Sequence, residues 1–212
     1  MDIAAPIVAE GGKTRRRKRD KATRDEILLA AANLIVDKGF MACTMRSISE
    51  QVNIQAGSLY HHFASKDEIV VEIMNSGTAM LLEQVRQSVE ELDPGTPFAR
   101  RLEIAMRTHL VCKLDRDLPF MRVYEQLMPV TKRQGRQMRR KYAELWIDMI
   151  EQGKRSGEVR RDIDSVPFVS YLLSSLNSTP DWFSAEQLPR EELIDMIQTV
   201  VERGILVQDL GG

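Results

Sequence analysis

From Thr23 onward the apolar residues recur three and four positions apart, and no segment shows the short apolar–polar alternation bounded by turn residues that builds strands. A chain patterned this way can bury its side chains only by packing helix against helix, so the expected fold is all-α. Helix ends are marked as well. Thr23 with Glu26, and Ser65 with Glu68, have the spacing of capping boxes, and Gly39 is a natural stop. Between them, Thr44 reads as the cap of a helix of about two turns carrying Ile48 and Val52. Asn53 to Gln55 break that pattern, and Leu59 and Phe63 resume it four apart. A short helix, a tight turn and another short helix make a helix-turn-helix candidate. A helix from Ser65 to about Leu92, roughly 40 Å long at ~1.5 Å per residue, connects this small front bundle to a larger one. Further helices are expected over residues 97–115, about 132–155, 166–179 and 189–207.

The 212 residues suffice for one large or two small domains. With 43% hydrophobic and 29% charged residues and no run of ~18 apolar positions, no membrane span is expected. The first 21 residues lack the apolar core and cleavage site of a secretory signal, so a cytoplasmic location is expected. Cys43 and Cys112 form no CxxC pair, and neither a metal site nor a cofactor is expected. Net charge is −1 overall but uneven: residues 1–66 hold 11 Lys/Arg against 7 Asp/Glu, or +4. Much of the excess lies in a tract with Arg15, Arg16 and Arg17, which suits either a solubilising tail or an arm for an anionic polymer. The expected organisation is a basic arm over residues 1–22, a three-helix domain holding the helix-turn-helix candidate over 23–70 and a larger helical domain over 71–212.

The segment "GSLYHHF", Gly57 to Phe63, places two histidines side by side. Neighbouring helical residues point about 100° apart, so His61 and His62 cannot converge on one metal. No strained nucleophile turn surrounds Ser58 either, and no catalytic constellation is found, so an enzyme is not expected. With the inward direction set between Leu59 and Phe63, His61 points about 180° away, with Gly57 and Ser58 beside it and Tyr60 and His62 on the flanks. Short donors around a residue that permits close backbone approach can reach phosphates and base edges in a major groove, although a bundle's ordinary surface helix would look the same. Thr44 at a helix start and Lys66 in a first turn add anion-favouring positions nearby.

The stretch "ILLAAANLIVDKGFMACTMRSISEQVNIQAGSLYHHFASKDEIVVEIM", residues 27–74, resembles the TetR family of bacterial transcription regulators. The resemblance lies in the joint spacing of Gly39-Phe40, Thr44, Ile48, Val52, Gly57, Leu59-Tyr60, Phe63 and Lys66. It implies phosphate contacts from Thr44, Tyr60, His61 and Lys66, with Arg46 as a further contact, and a base-reading end at Gln55, Ala56, Gly57 and Ser58. The implied partners are double-stranded operator DNA, a second copy of the chain and a small-molecule effector. The last two helices would form the homodimer through Phe168, Leu172, Leu176, Leu193, Ile197, Val200 and Val201. The long basic arm departs from many members and predicts a steep salt dependence, about −0.9 per phosphate contact.

The effector half carries less signal. Met106, His109, Leu110, Tyr124, Leu127, Met128, Met138, Tyr142 and Trp146 form helical stripes rich in methionine and aromatics. Core packing explains such stripes, and His109 reads as a satisfied core histidine; an adaptable apolar pocket would use the same residues. Lys132, Arg133, Arg136, Arg139, Arg140 and Lys141 precede Tyr142 and read as a solvated face, or as partners for the phosphates of a coenzyme A thioester. That segment looks similar to family members governing lipid, steroid and aromatic catabolism. The alternative function is a DNA-binding factor without a small-molecule effector.

Overall fold

Thr23 opens the first helix by satisfying two orphan donors at once. The Glu26 amide donates to its hydroxyl at 3.2 Å, and its own amide donates to the Glu26 carboxylate at 2.8 Å. The computed structural model describes residues 22–115, 123 and 136–207. Among these residues the helices are α1 (Arg24–Lys38), α2 (Met45–Gln51), α3 (Ala56–His62), α4 (Lys66–Glu90), α5 (Phe98–Leu114), α6 (Arg136–Ser156), α7 (Ser165–Trp182) and α8 (Arg190–Ile205). The only strand-like pairing among them is an isolated bridge between Val159 and Leu206, so the fold is all-α. Arg15, Arg16 and Arg17 of the arm, and Tyr124, Leu127, Met128, Lys132 and Arg133 of the effector half, lie outside the described residues.

Helix ends follow local chemistry. Gly39 stops α1 at a φ of 86°, a left-handed backbone that suits glycine. Ser65 caps α4 by accepting the Glu68 amide at 3.2 Å, but the Glu68 carboxylate takes the Ala64 amide at 2.7 Å, one residue before the position a capping box uses. Helix α7 continues to Trp182, past the expected end at 179, because Pro180 falls in its last turn and removes only one terminal hydrogen bond.

Two apolar cores result. The front core joins Ile27, Ala31 and Ile35 of α1 to Ile48, Ile54, Leu59 and Phe63, and includes Val123. The rear core gathers Leu102, Met106 and Leu110 of α5, Tyr142, Trp146 and Ile150 of α6, and Leu172 and Leu176 of α7. Helix α4 belongs to both: Ile69, Val70, Ile73 and Met74 pack forward, and Leu81 and Val85 pack backward. At ~1.5–3 kcal/mol for each buried large aliphatic side chain, α4 is held firmly at each end. In the rear domain α5 starts against α6. Gly153 leaves room there, since a Cβ would sit 2.7 Å from the Phe98 ring, and the Phe98 amide donates to the Glu158 carboxylate at 2.8 Å. Helix α8 is tied to α5 by Arg107 to Asp195 at 2.6 Å and by Gln198 Nε2 donating to the Glu103 carbonyl at 2.8 Å.

Candidate functional site

The front site is built from α2, its turn and α3. The Ser47 amide donates to the Thr44 hydroxyl at 3.1 Å, and the Thr44 amide to the Ser47 hydroxyl at 2.9 Å, a capping box with serine in the usual glutamate position. Arg46 pairs with Glu50 at 3.0 Å while its side chain stays 87% exposed. Such exposed pairs contribute only ~0–1 kcal/mol, so the guanidinium can be redirected at little cost.

The turn has a definite geometry. The Asn53 amide donates to the Glu50 carbonyl at 3.2 Å and the Ile54 amide to the Ser49 carbonyl at 3.0 Å, with Asn53 at a φ of 55°. This is the Schellman ending, and asparagine is among the few side chains that tolerate it. It reverses the chain within a few residues and sends α3 off with Leu59 and Phe63 buried.

What remains outside on α3 is Ala56, Gly57, Tyr60 and His61, with Gln55 just before them; Ser58 and His62 are half-buried flanks. A Cβ on Gly57 would meet nothing within 4 Å. Among the described residues neither Tyr60 nor His61 makes a hydrogen bond or ion pair, so phenol and imidazole are free to engage a partner. Lys66 is placed differently from the simple expectation. Its ammonium donates to the Phe40 carbonyl at 3.0 Å and lies 4.0 Å from the Phe40 ring centroid, which ties the α1–α2 connection to the start of α4. A phosphate would have to use its remaining hydrogens.

In the rear domain the structure brings Met106, His109, Leu110, Tyr142 and Trp146 together, all buried. His109 Nδ1 lies 2.8 Å from the Tyr142 hydroxyl, and Trp146 meets both rings edge-on at centroid distances of 6.1 Å. Burial, and secondarily the Lys113 charge, lowers the His109 pKa to about 3. Burial pushes the Tyr142 hydroxyl well above the usual phenol range. His109 Nε2 and Trp146 Nε1 are buried without a hydrogen-bond partner among the described residues. His109 is thus buried in the core and paired at Nδ1. Met138 and Arg139, at the start of α6, are half-buried, while Arg136, Arg140 and Lys141 are exposed.

The last two helices present an outer apolar groove of about 480 Å³. Phe168, Leu172, Leu176, Ile197, Val200 and Val201 line it. Leu193 is a correction: it is 0% exposed and absent from the groove wall, so its side chain leaves no surface for a second copy. Tyr171, Trp182 and Met196 are groove residues that the sequence reading missed. Their signal is a helix with apolar residues on two faces, only one of which its own core can cover.

A helix-turn-helix with a free polar face on its second helix, joined by a shared long helix to a second helical domain, is the architecture of a DNA-binding transcription regulator. Residues 27–73 match the model of bacterial regulatory proteins of the tetR family, and residues 95–205 match a tetracyclin repressor-like C-terminal domain. The chain belongs to the TetR family. Among its relatives is the HTH-type transcriptional repressor KstR2 of Mycobacterium tuberculosis, 24% identical over 195 residues that cover 86% of this chain and 94% of that one. KstR2 of Rhodococcus jostii is 30% identical over 146 residues, 66% of this chain and 70% of that one. The crystal structure of AibR in complex with isovaleryl coenzyme A and operator DNA has the same fold, with a TM-score of 0.68, 22% identity and coverage of 84% of this chain and 96% of that one.

Proposed function

We propose that the chain is a ligand-responsive repressor that binds a palindromic operator as a homodimer and leaves it when a small apolar effector occupies the rear domain. The observation that carries this reading is the outer face of α3, where Gln55, Ala56, Gly57, Tyr60 and His61 are exposed while Leu59 and Phe63 hold the helix in place. Gln55 through Ser58 read bases, and Thr44, Arg46, Tyr60, His61 and Lys66 take phosphates. Two half-sites lie one groove repeat of ~34 Å apart, so affinity depends on the distance between the two α3 helices. Because α4 is rooted in both cores, an effector that prefers one rear-domain arrangement shifts the population of operator-competent dimers. The α7–α8 groove is the dimer surface.

The effector contacts include Met106, His109, Leu110, Tyr142 and Trp146, where His109 Nε2 offers a polar anchor in an apolar setting. A coenzyme A thioester of a lipid, steroid or aromatic acid suits the cations at the start of α6, and isovaleryl coenzyme A in AibR supports that class. Selecting bound duplexes from a random pool should converge on a palindrome, and adding coenzyme A thioesters should release the selected duplex while the matching free acids do not. A pool that never converges would sink the operator reading; equal release by acids and thioesters would sink the thioester class.

A further inference from the structure

Arg24 is the first helical residue after the basic arm, which makes it one more cation available to phosphate. The structure instead lays it across neighbouring helices, with its side chain still 44% exposed. Its Nε donates to Glu72 Oε1 at 2.5 Å and its Nη2 to Glu72 Oε2, a two-pronged pairing with a residue of α4. Its Nη1 donates to the His62 carbonyl at 2.7 Å, and its guanidinium carbon lies 4.1 Å from the Phe63 ring centroid. One side chain thus joins the start of α1, the end of α3 and the body of α4.

Helix α3 needs such a tie. It has seven residues and no side-chain cap at its start, and a helix that short does not hold itself. Its last carbonyls are orphan acceptors at the negative end of the helix dipole, where a cation that donates a hydrogen bond satisfies both needs. Arg24 meets that requirement at His62, and Glu72 holds the guanidinium in the orientation that reaches it. Glu72 stands on the helix that also enters the rear core.

We propose that Arg24 is a positioning residue for DNA recognition: with Glu72 it locks the C-terminal end of α3 to α4, so that the reading helix and the helix leading to the effector domain move as one body. This rests on the reading of α3 as the DNA-reading helix. It differs from a phosphate-contact role in one consequence. A carboxylate gives nothing to a phosphate, so Glu72 can matter for affinity only through the clamp.

The test is a double-mutant cycle on the full chain with Arg24→Ala, Glu72→Ala and both together. Each is titrated over a range of salt with the selected duplex and with a scrambled one. Each single variant should bind the selected duplex about tenfold more weakly, with the double variant within about twofold of the weaker single, because the two residues act as a unit. Binding to scrambled duplex and the salt slope should not change. A slope flattened by about 0.9 per lost contact in Arg24→Ala, with Glu72→Ala binding undiminished, would make Arg24 a phosphate ligand and overturn the clamp. Additive losses, or no loss in either single variant, would overturn it as well. Without DNA, hydrogen exchange of the Phe63 amide, which donates to the Leu59 carbonyl at 3.0 Å, should quicken in both single variants while α5–α8 keep their protection. Unchanged exchange counts against the clamp. If the alanine variants do not fold, Arg24→Lys and Glu72→Gln, which keep part of the bonding, should give intermediate losses, and none in either would overturn the proposal. If the wild type selects no sequence, the operator reading fails and the exchange measurement alone decides the clamp.

Discussion

His109 shows how burial turns a common residue into a pH liability. Its ring is fully enclosed, one nitrogen faces the Tyr142 hydroxyl, and burial with the nearby Lys113 charge lowers its pKa from 6.5 to about 3. The unfolded chain takes up a proton below about pH 6.5 that the folded chain refuses until far lower pH. The stability that neutral His109 contributes is therefore intact above pH 6.5 and is lost as the pH falls toward 3. His109→Gln, which keeps a partner for Tyr142, should remove about 2–3 kcal/mol of the stability loss between pH 7 and pH 4.5. Denaturant unfolding at both pH values measures this, and parallel pH dependences for the two proteins would refute it. From the sequence, a lone histidine on an apolar stretch signals burial; which of its nitrogens is paired depends on Tyr142, 33 residues away, and only packing sets that.

Helix α3 owes its orientation to two residues and its chemistry to the others. Leu59 and Phe63 are each 1% exposed, whereas Tyr60 is 55% exposed and carries no partner among the described residues. Replacing Tyr60 and His61 together with alanine should abolish retardation of the selected duplex. Thermal stability should change little, since exposed substitutions usually stay within about ±0.5 kcal/mol each. Retention of full binding by that double variant would remove α3 from the interface. This face is legible in the sequence because a four-residue apolar spacing defines the inward direction and period arithmetic gives the rest. The Arg24 clamp is not legible, since its partners stand 38 and 48 residues away on other helices.

At the scale of the whole molecule, the α7–α8 groove is an apolar surface left open among the described residues. Tyr171 is 70% and Val200 68% exposed beside Phe168, Ile197 and Val201, an apolar area facing water in the single chain. Tyr171→Glu with Val200→Glu should convert a dimer to a helical monomer in sedimentation and should cost operator binding, because one half-site contact cannot hold the duplex. A variant that still sediments as a dimer would place the interface elsewhere.

Periodicity and capping chemistry, which are local, determined the all-α class, the helix-turn-helix and the outward face of α3. They act within a turn or two of helix, so neighbouring residues suffice to read them. Tertiary structure alone decided that Leu193 is buried while Tyr171 and Met196 face outward, that His109 meets Tyr142 and Trp146, and that Arg24 and Lys66 lie over the Phe63 and Phe40 rings. A helix with two apolar faces offers either one to its core, and only the neighbours that arrive from distant parts of the chain determine which face is covered.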